Sequence, residues 1–158
     1  MPEAIRDPGP KKSIDPLPWA KPGMLVGFDG SESAIGALRT AVRMAPALEM
    51  PVHMIVVWDY PTMMYGDHYS PAIDPRPSEV AEELRARAVS GAFPDGAPDW
   101  FTSSTQQGRP SRTLVELSRE AEMVVVGSRG HGGFSGLLLG SVSAALASHS
   151  ECSVLVVR

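Results

Sequence analysis

From Met24 onward, short apolar runs alternate with stretches of helical period, and that alternation predicts a parallel sheet with helices between its strands. The first run, residues 24–28, is closed by Asp29, Gly30 and Ser31, residue types that favour a turn and a helix cap. Ala34, Leu38, Ala41 and Ala45, with Ile35 and Val42 beside them, then form one apolar stripe, and Pro46 marks the expected helix end. Residues 52–58 are apolar and β-branched enough for a strand buried on both faces. Ser78 can cap a second helix that carries Glu79, Glu82 and Glu83 near its positive end, with Val80, Leu84 and Ala88 facing inward and Gly91 as its stop. The third strand, residues 100–106, has the weakest pattern and reads as an edge strand, because Phe101 is followed by small polar residues. Pro110 and Ser111 open a third helix with Leu114, Leu117 and Ala121 at spacings of three and four. Strands at 123–126 and 154–157 flank a fourth helix near 140–148, giving five strands and four helices.

Composition changes the picture at two places. Residues 1–23 hold six prolines, mixed charge and no periodicity, so they read as a mobile arm ahead of a domain at 24–158. Residues 59–77 hold four prolines and several aromatics, a long irregular loop whose role is not legible. A chain of 158 residues is long enough for one core and too short for two ordinary domains. Its net charge of -4 supplies no field for phosphate backbones, so nucleic acid is not the expected partner. No apolar run approaches the roughly 20 residues of a membrane helix, and no secretory pattern opens the chain, so a soluble cytoplasmic protein is expected, with no membrane partner. Cys152 is the only cysteine, which excludes an internal disulfide and a cysteine-rich metal site and suits a small core thiol. The four histidines lack helical i, i+4 pairing, and no metal site is assigned.

The chemistry lies in one glycine-rich stretch. Gly127, Ser128, Arg129 and Gly130 follow an apolar strand, and nine residues later Gly140 and Ser141 stand at an expected helix start, a G-x-x-G-x9-G-S pattern. Glycines permit close backbone approach, and the free amides of a helix N-terminus point at an anion, so phosphate is the natural ligand; the alternative is a flexible surface loop. A helix dipole supplies only about 0.3 to 1 kcal/mol, whereas micromolar binding needs about 8 kcal/mol, so a base and ribose must be held as well. A Walker loop is excluded because no lysine follows Gly140, and the dinucleotide fingerprint fails because Gly27 and Gly30 lack a correctly placed third glycine.

Residues 26–31 (VGFDGS), 125–133 (VVGSRGHGG), 137–143 (LLLGSVS) and 154–157 (VLVV) together resemble the universal stress protein family over residues 24–158, and the glycine element resembles its ATP-binding branch. The resemblance implies a doubly wound five-stranded parallel sheet of order 3-2-1-4-5, the adenine nucleotide alpha hydrolase-like fold, with a ligand crevice at the switch between the first and fourth strands. Gly27, Asp29 and Gly127 lie at the carboxyl ends of those two strands. Asp29 and the backbone of Val57 would hold the adenine and ribose side, and Gly127 and Gly130 would admit ribose and phosphates. Gly140, Ser141, Val142 and Ser143 would bind the phosphates, with Arg129 as a supplementary contact. Asp29 could instead cap a helix, and Arg129 could be a solvated loop charge.

The resemblance implies ATP, with or without magnesium, as the ligand of a nucleotide-dependent regulatory module whose protein partner is unidentified. A slow ATPase or nucleotidyl-transfer enzyme using Asp29 beside magnesium is the alternative, and a ligand-free scaffold the third reading. The apolar final strand, as a sheet edge, predicts a homodimer.

Overall fold

The computed structural model describes residues 13–60, 76–131, 136 and 138–158. Strands β1 (Met24–Gly27), β2 (Val52–Trp58), β3 (Phe101–Gln107), β4 (Met123–Gly127) and β5 (Ser153–Val157) form one parallel sheet in the order β3-β2-β1-β4-β5. The chain builds outward from β1 to β3 and then returns to β4 on the other side of β1. That reversal splays the connections leaving β1 and β4 and opens a crevice at their carboxyl ends. Helices α1 (Glu32–Leu48), α2 (Pro77–Ala92), α3 (Pro110–Leu117) and α4 (Ser141–His149) connect the strands, and a single 3₁₀ turn, Ser118–Glu120, follows α3.

Alternation along the strands builds two cores. Met24, Val26, Met54, Val56 and Val125 face the alanines of α1 and Ala81 of α2. Leu25, Ile55, Val124 and Val126 face Leu114, Leu117 and Leu146 on the opposite side. Each fully buried leucine among them contributes about 1.5 to 3 kcal/mol relative to exposure.

The helices depart from expectation in instructive ways. In α1 the buried set is Ala34, Ala37, Leu38, Ala41 and Ala45, while Ile35 is exposed, because a nearly flat alanine face lets the helix lie close on the sheet. Pro46 does not end α1; it sits in the last turn, and the helix stops at a left-handed Glu49 whose amide returns to the Pro46 carbonyl. Near the C-terminus proline costs one hydrogen bond, and the chain tolerates it. In α2 the N-cap is Arg76 with Pro77 at the first position, not Ser78; Ala81 is buried and Val80 exposed. Ala121 is buried, yet lies beyond α3 and its 3₁₀ turn rather than on the helix. The irregular stretch at 61–75 lies outside the described residues.

Of the segment expected as an arm, residues 1–12 lie outside the described residues, while the remainder packs on the sheet as a strap across β2 and β3. Leu17 enters the second core with Ile14 and Trp19 beside it. The Asp15 amide donates to Gln106 Oε1 at 3.1 Å, the Leu17 amide to Glu120 Oε2 at 2.9 Å, and Lys21 Nζ to the Glu49 carbonyl at 2.7 Å. These contacts extend the packed unit upstream of Met24. They also explain β3. Thr102, Ser104 and Gln106 alternate toward the strap side, where His53 Nδ1 meets Thr102 Oγ1 at 2.7 Å, His53 Nε2 meets Ser104 Oγ at 2.8 Å, and Trp19 packs edge-on against the imidazole. On the other face Arg85 of α2 donates to Ser103 Oγ at 2.8 Å. A polar edge strand is stable here because the hydroxyls of Thr102, Ser103 and Ser104 are consumed by named partners.

Candidate functional site

A cavity of about 740 Å³ opens at the carboxyl ends of β1 and β4. All ten residues selected from the sequence line it: Gly27, Asp29, Val57, Gly127, Arg129, Gly130, Gly140, Ser141, Val142 and Ser143. They come from four separate stretches of chain, and the size lies within the usual range for a small-molecule pocket. Phe28, Ile55, Leu114 and Val126 supply apolar wall, and Ser31 and His131 complete the polar rim.

The polar groups have unequal duties. Val57 stands two residues beyond Ile55, the β2 residue opposite the last residue of β1. Along β2 the backbone groups alternate in direction: the Val52 amide reaches the Trp100 carbonyl on the β3 side, and the Ile55 carbonyl accepts from the Phe28 amide on the β1 side. By that alternation the Val57 amide and carbonyl turn toward the gap past the end of β1. The Val57 side chain meanwhile packs with the second core.

Asp29 organises two loops. Its Oδ1 accepts from the Ser31 amide at 2.9 Å and the Ser31 hydroxyl at 2.5 Å, and its Oδ2 accepts from the His131 amide at 3.3 Å. The cap of α1 is therefore Ser31, whose Oγ accepts from the Ala34 amide, and not Asp29 itself. A Cβ on Gly130 would lie 2.6 Å from Asp29 Oδ2, so the loop's approach to the carboxylate requires glycine.

Gly127 has a different reason to be glycine. A Cβ there would stand 2.2 Å from Ser33 Oγ, 2.7 Å from the Ser33 carbonyl carbon and 2.8 Å from the Ala34 amide. The end of β4 and the start of α1 touch through this position, so helix packing alone excludes a side chain.

At α4, Gly140 is the N-cap and offers no side chain, while its own amide is bound to the Ser128 carbonyl at 2.7 Å. The amides of Ser141, Val142 and Ser143 come first in the helix and have no intrahelical carbonyl to reach. Ser143 is buried, and its hydroxyl donates inward toward the Ser128 carbonyl at 3.0 Å and the Gly140 carbonyl at 3.2 Å, so only its backbone is available to a ligand. The arrangement presents a row of donors and a flanking cation, Arg129, to whatever occupies the cavity. Gly132, Gly133 and Leu137 of the sequence motif lie outside the described residues.

Among the described residues Asp29 is the only carboxylate lining the cavity, and its oxygens already accept three hydrogen bonds. Among the described residues no cluster of three or more histidine, cysteine, aspartate or glutamate side chains could hold a metal. The sequence points to Ser31 as a turn or cap residue, which it is, but misses Ser33 and Ser128, which help tie these loops together; the D-x-S-x-S spacing from Asp29 is the available signal for Ser33.

Comparisons with known proteins bear on family and fold. The universal stress protein family profile matches residues 23–158. The universal stress protein Rv2623 of Mycobacterium tuberculosis is 34% identical over 150 residues, covering 92% of this chain and 48% of its own length. Rv2005c of the same organism is 34% identical over 147 residues with the same coverage, so the chain spans about half the length of these relatives. A crystal structure of a universal stress protein in complex with cAMP superposes with TM-score 0.62 at 29% identity, covering 89% of this chain and 99% of that one. The Archaeoglobus fulgidus universal stress protein in complex with dAMP gives TM-score 0.61 at 22% identity, covering 87% and 98%, and shows the shared fold. The five-stranded parallel sheet of order 3-2-1-4-5 is the one expected from the resemblance, and these neighbours share the fold.

Proposed function

The chain belongs to the universal stress protein family, and on that premise we propose that its crevice binds an adenine nucleotide, ATP in the cell, and that the domain is a nucleotide-dependent regulatory module of the stress response. The observation that carries this reading is the convergence of ten residues from four stretches on one cavity bounded by the free amides of α4. The neighbour solved with cAMP supports the ligand class.

In this reading the Val57 amide donates to adenine N1 and the Val57 carbonyl accepts from the 6-amino group. Guanine reverses both polarities, so the same backbone pair would face donor with donor and acceptor with acceptor. Asp29 and Gly127 border the ribose. Gly130 and the amides of Ser141, Val142 and Ser143 receive the phosphates, and the Arg129 guanidinium adds charge. Magnesium would arrive on the phosphates, because Asp29 spends its oxygens on the loops. That engagement also weighs against slow hydrolysis, since the one carboxylate that lines the cavity among the described residues is committed to structure.

A cytoplasmic homodimer completes the proposal. β5 is an outer strand with Val154, Leu155, Val156 and Val157 half-buried, and two such edges related by a twofold axis can pair antiparallel. Native mass spectrometry of the purified protein tests both parts. The expected spectrum is a dimer that releases ATP or AMP on denaturation. A ligand-free protein that also fails to take up added ATP would overturn the nucleotide reading, and a monomer would overturn the pairing.

A further inference from the structure

The turn that carries Gly130 is held by residues of α1 that have no place in the glycine motif. Ser33, in the first turn of α1, donates its hydroxyl proton to the Arg129 carbonyl at 2.5 Å, and the same oxygen accepts from the Arg129 amide at 3.4 Å. One side chain thus occupies both backbone groups of Arg129. Ser31 Oγ lies 3.3 Å from the same carbonyl, but its proton is committed to Asp29 Oδ1 at 2.5 Å, so Ser33 is the principal tie.

This tie fixes the direction of a peptide plane. In a planar trans peptide the N–H of one residue points opposite to the carbonyl of the residue before it. With the Arg129 carbonyl pulled toward α1, the Gly130 N–H points away from α1. Gly140 lies on that side: a Cβ built on it would be 3.4 Å from the Gly130 nitrogen. The Gly130 amide therefore joins the amides that open α4. Its neighbours are anchored as well, Ser128 through its carbonyl to the Gly140 amide and His131 through its amide to Asp29.

We infer that Ser33 is a positioning residue for the anion end of the crevice, holding the Arg129–Gly130 peptide so that an N–H rather than a carbonyl faces the α4 N-terminus. Released from Ser33, this peptide can flip, since glycine follows it and adds no side-chain barrier. A flip would aim a carbonyl oxygen at the phosphates and turn an attraction into a repulsion. The inference rests on the nucleotide reading above and adds to it a residue that acts through the backbone, on the phosphates and not on the base.

The test compares Ser33→Ala with the unsubstituted protein by calorimetric titration with ATP and, separately, with adenosine, alongside thermal unfolding. Ser33 is not the α1 cap, so the variant keeps the Ser31 contacts that start the helix. The expected result is an ATP affinity about tenfold lower, adenosine affinity changed by less than twofold, and an unfolding midpoint within a few degrees of the original. A merely structural role would weaken both ligands together, and that outcome overturns the inference. Unchanged ATP binding overturns it too, while leaving the nucleotide reading intact. If the unsubstituted protein binds neither ligand, the nucleotide reading itself fails and takes this role with it.

Discussion

At the amino end of β2, both ring nitrogens of His53 meet hydroxyls of β3, and Trp19 closes over the imidazole. At the carboxyl end of the same strand, Val57 turns its amide and carbonyl into a cavity of about 740 Å³. Both ends place polar groups against an apolar core, yet one is satisfied from within the chain and the other is left for something else. Satisfied polar groups rigidify, whereas preorganised and unspent ones are what a ligand can use. No buried side-chain nitrogen or oxygen among the described residues lacks a partner, so the unspent donors at the crevice are backbone groups together with the exposed Arg129 guanidinium.

The largest effect should come from confusing packing with ligand space. Gly127→Ala places a methyl group 2.7 Å from the Ser33 carbonyl carbon and 2.8 Å from the Ala34 amide, contacts that only a shift of α1 relieves. Chemical denaturation should show a loss of about 3 kcal/mol or more. The same change at Gly140 meets nothing nearer than 3.4 Å and should cost less than about 1 kcal/mol. Equal losses at the two positions would show that the β4–α1 contact is not what demands glycine at 127.

A smaller effect should come from the satisfied end of β2. Burial lowers the His53 pKa from 6.5 to about 4, so the folded protein holds this imidazole neutral while the unfolded chain protonates it below about 6.5. Between those values unfolding takes up a proton. Stability from this group is complete above pH 6.5 and declines as the pH falls toward 4. At pH 5 the loss is about 2 kcal/mol relative to neutral pH. Of the charged groups on the neighbouring elements, Lys21 Nζ of the strap donates to the Glu49 carbonyl and Glu120 Oε2, beyond α3, accepts from the Leu17 amide. Denaturation at pH 7 and pH 5 for the unsubstituted protein and for His53→Gln measures the difference. An identical pH slope in the two would assign the acid sensitivity elsewhere.

The same contrast explains what could be read before any coordinates. The crevice was legible because its information is local: G-x-x-G-x9-G-S names its own loop and helix start, and Asp29 closes the strand that faces them. β2 and β4 were legible because buried parallel strands are continuous apolar runs. β3 was barely legible because its polar side chains make sense only beside His53, Arg85 and Asp15, which lie up to 91 positions away in sequence. The strap was hidden for a related reason. Its prolines suit an extended segment as well as a disordered one, and only Leu17, Trp19 and their distant partners tell the two apart. Gly127 shows a further limit, since a glycine kept for a ligand and one kept for a neighbouring helix look the same in sequence.

In the proposed function, the unspent backbone at the carboxyl end of β2 and the start of α4 together select an adenine nucleotide. Paired calorimetric titrations with ATP and GTP under identical salt test it most directly, because the two ligands share ribose and phosphates and differ only at the base that Val57 would read. ATP should bind saturably and GTP at least about tenfold more weakly, a difference of about 1.4 kcal/mol. Equal affinity for both, or no binding of either, would contradict it.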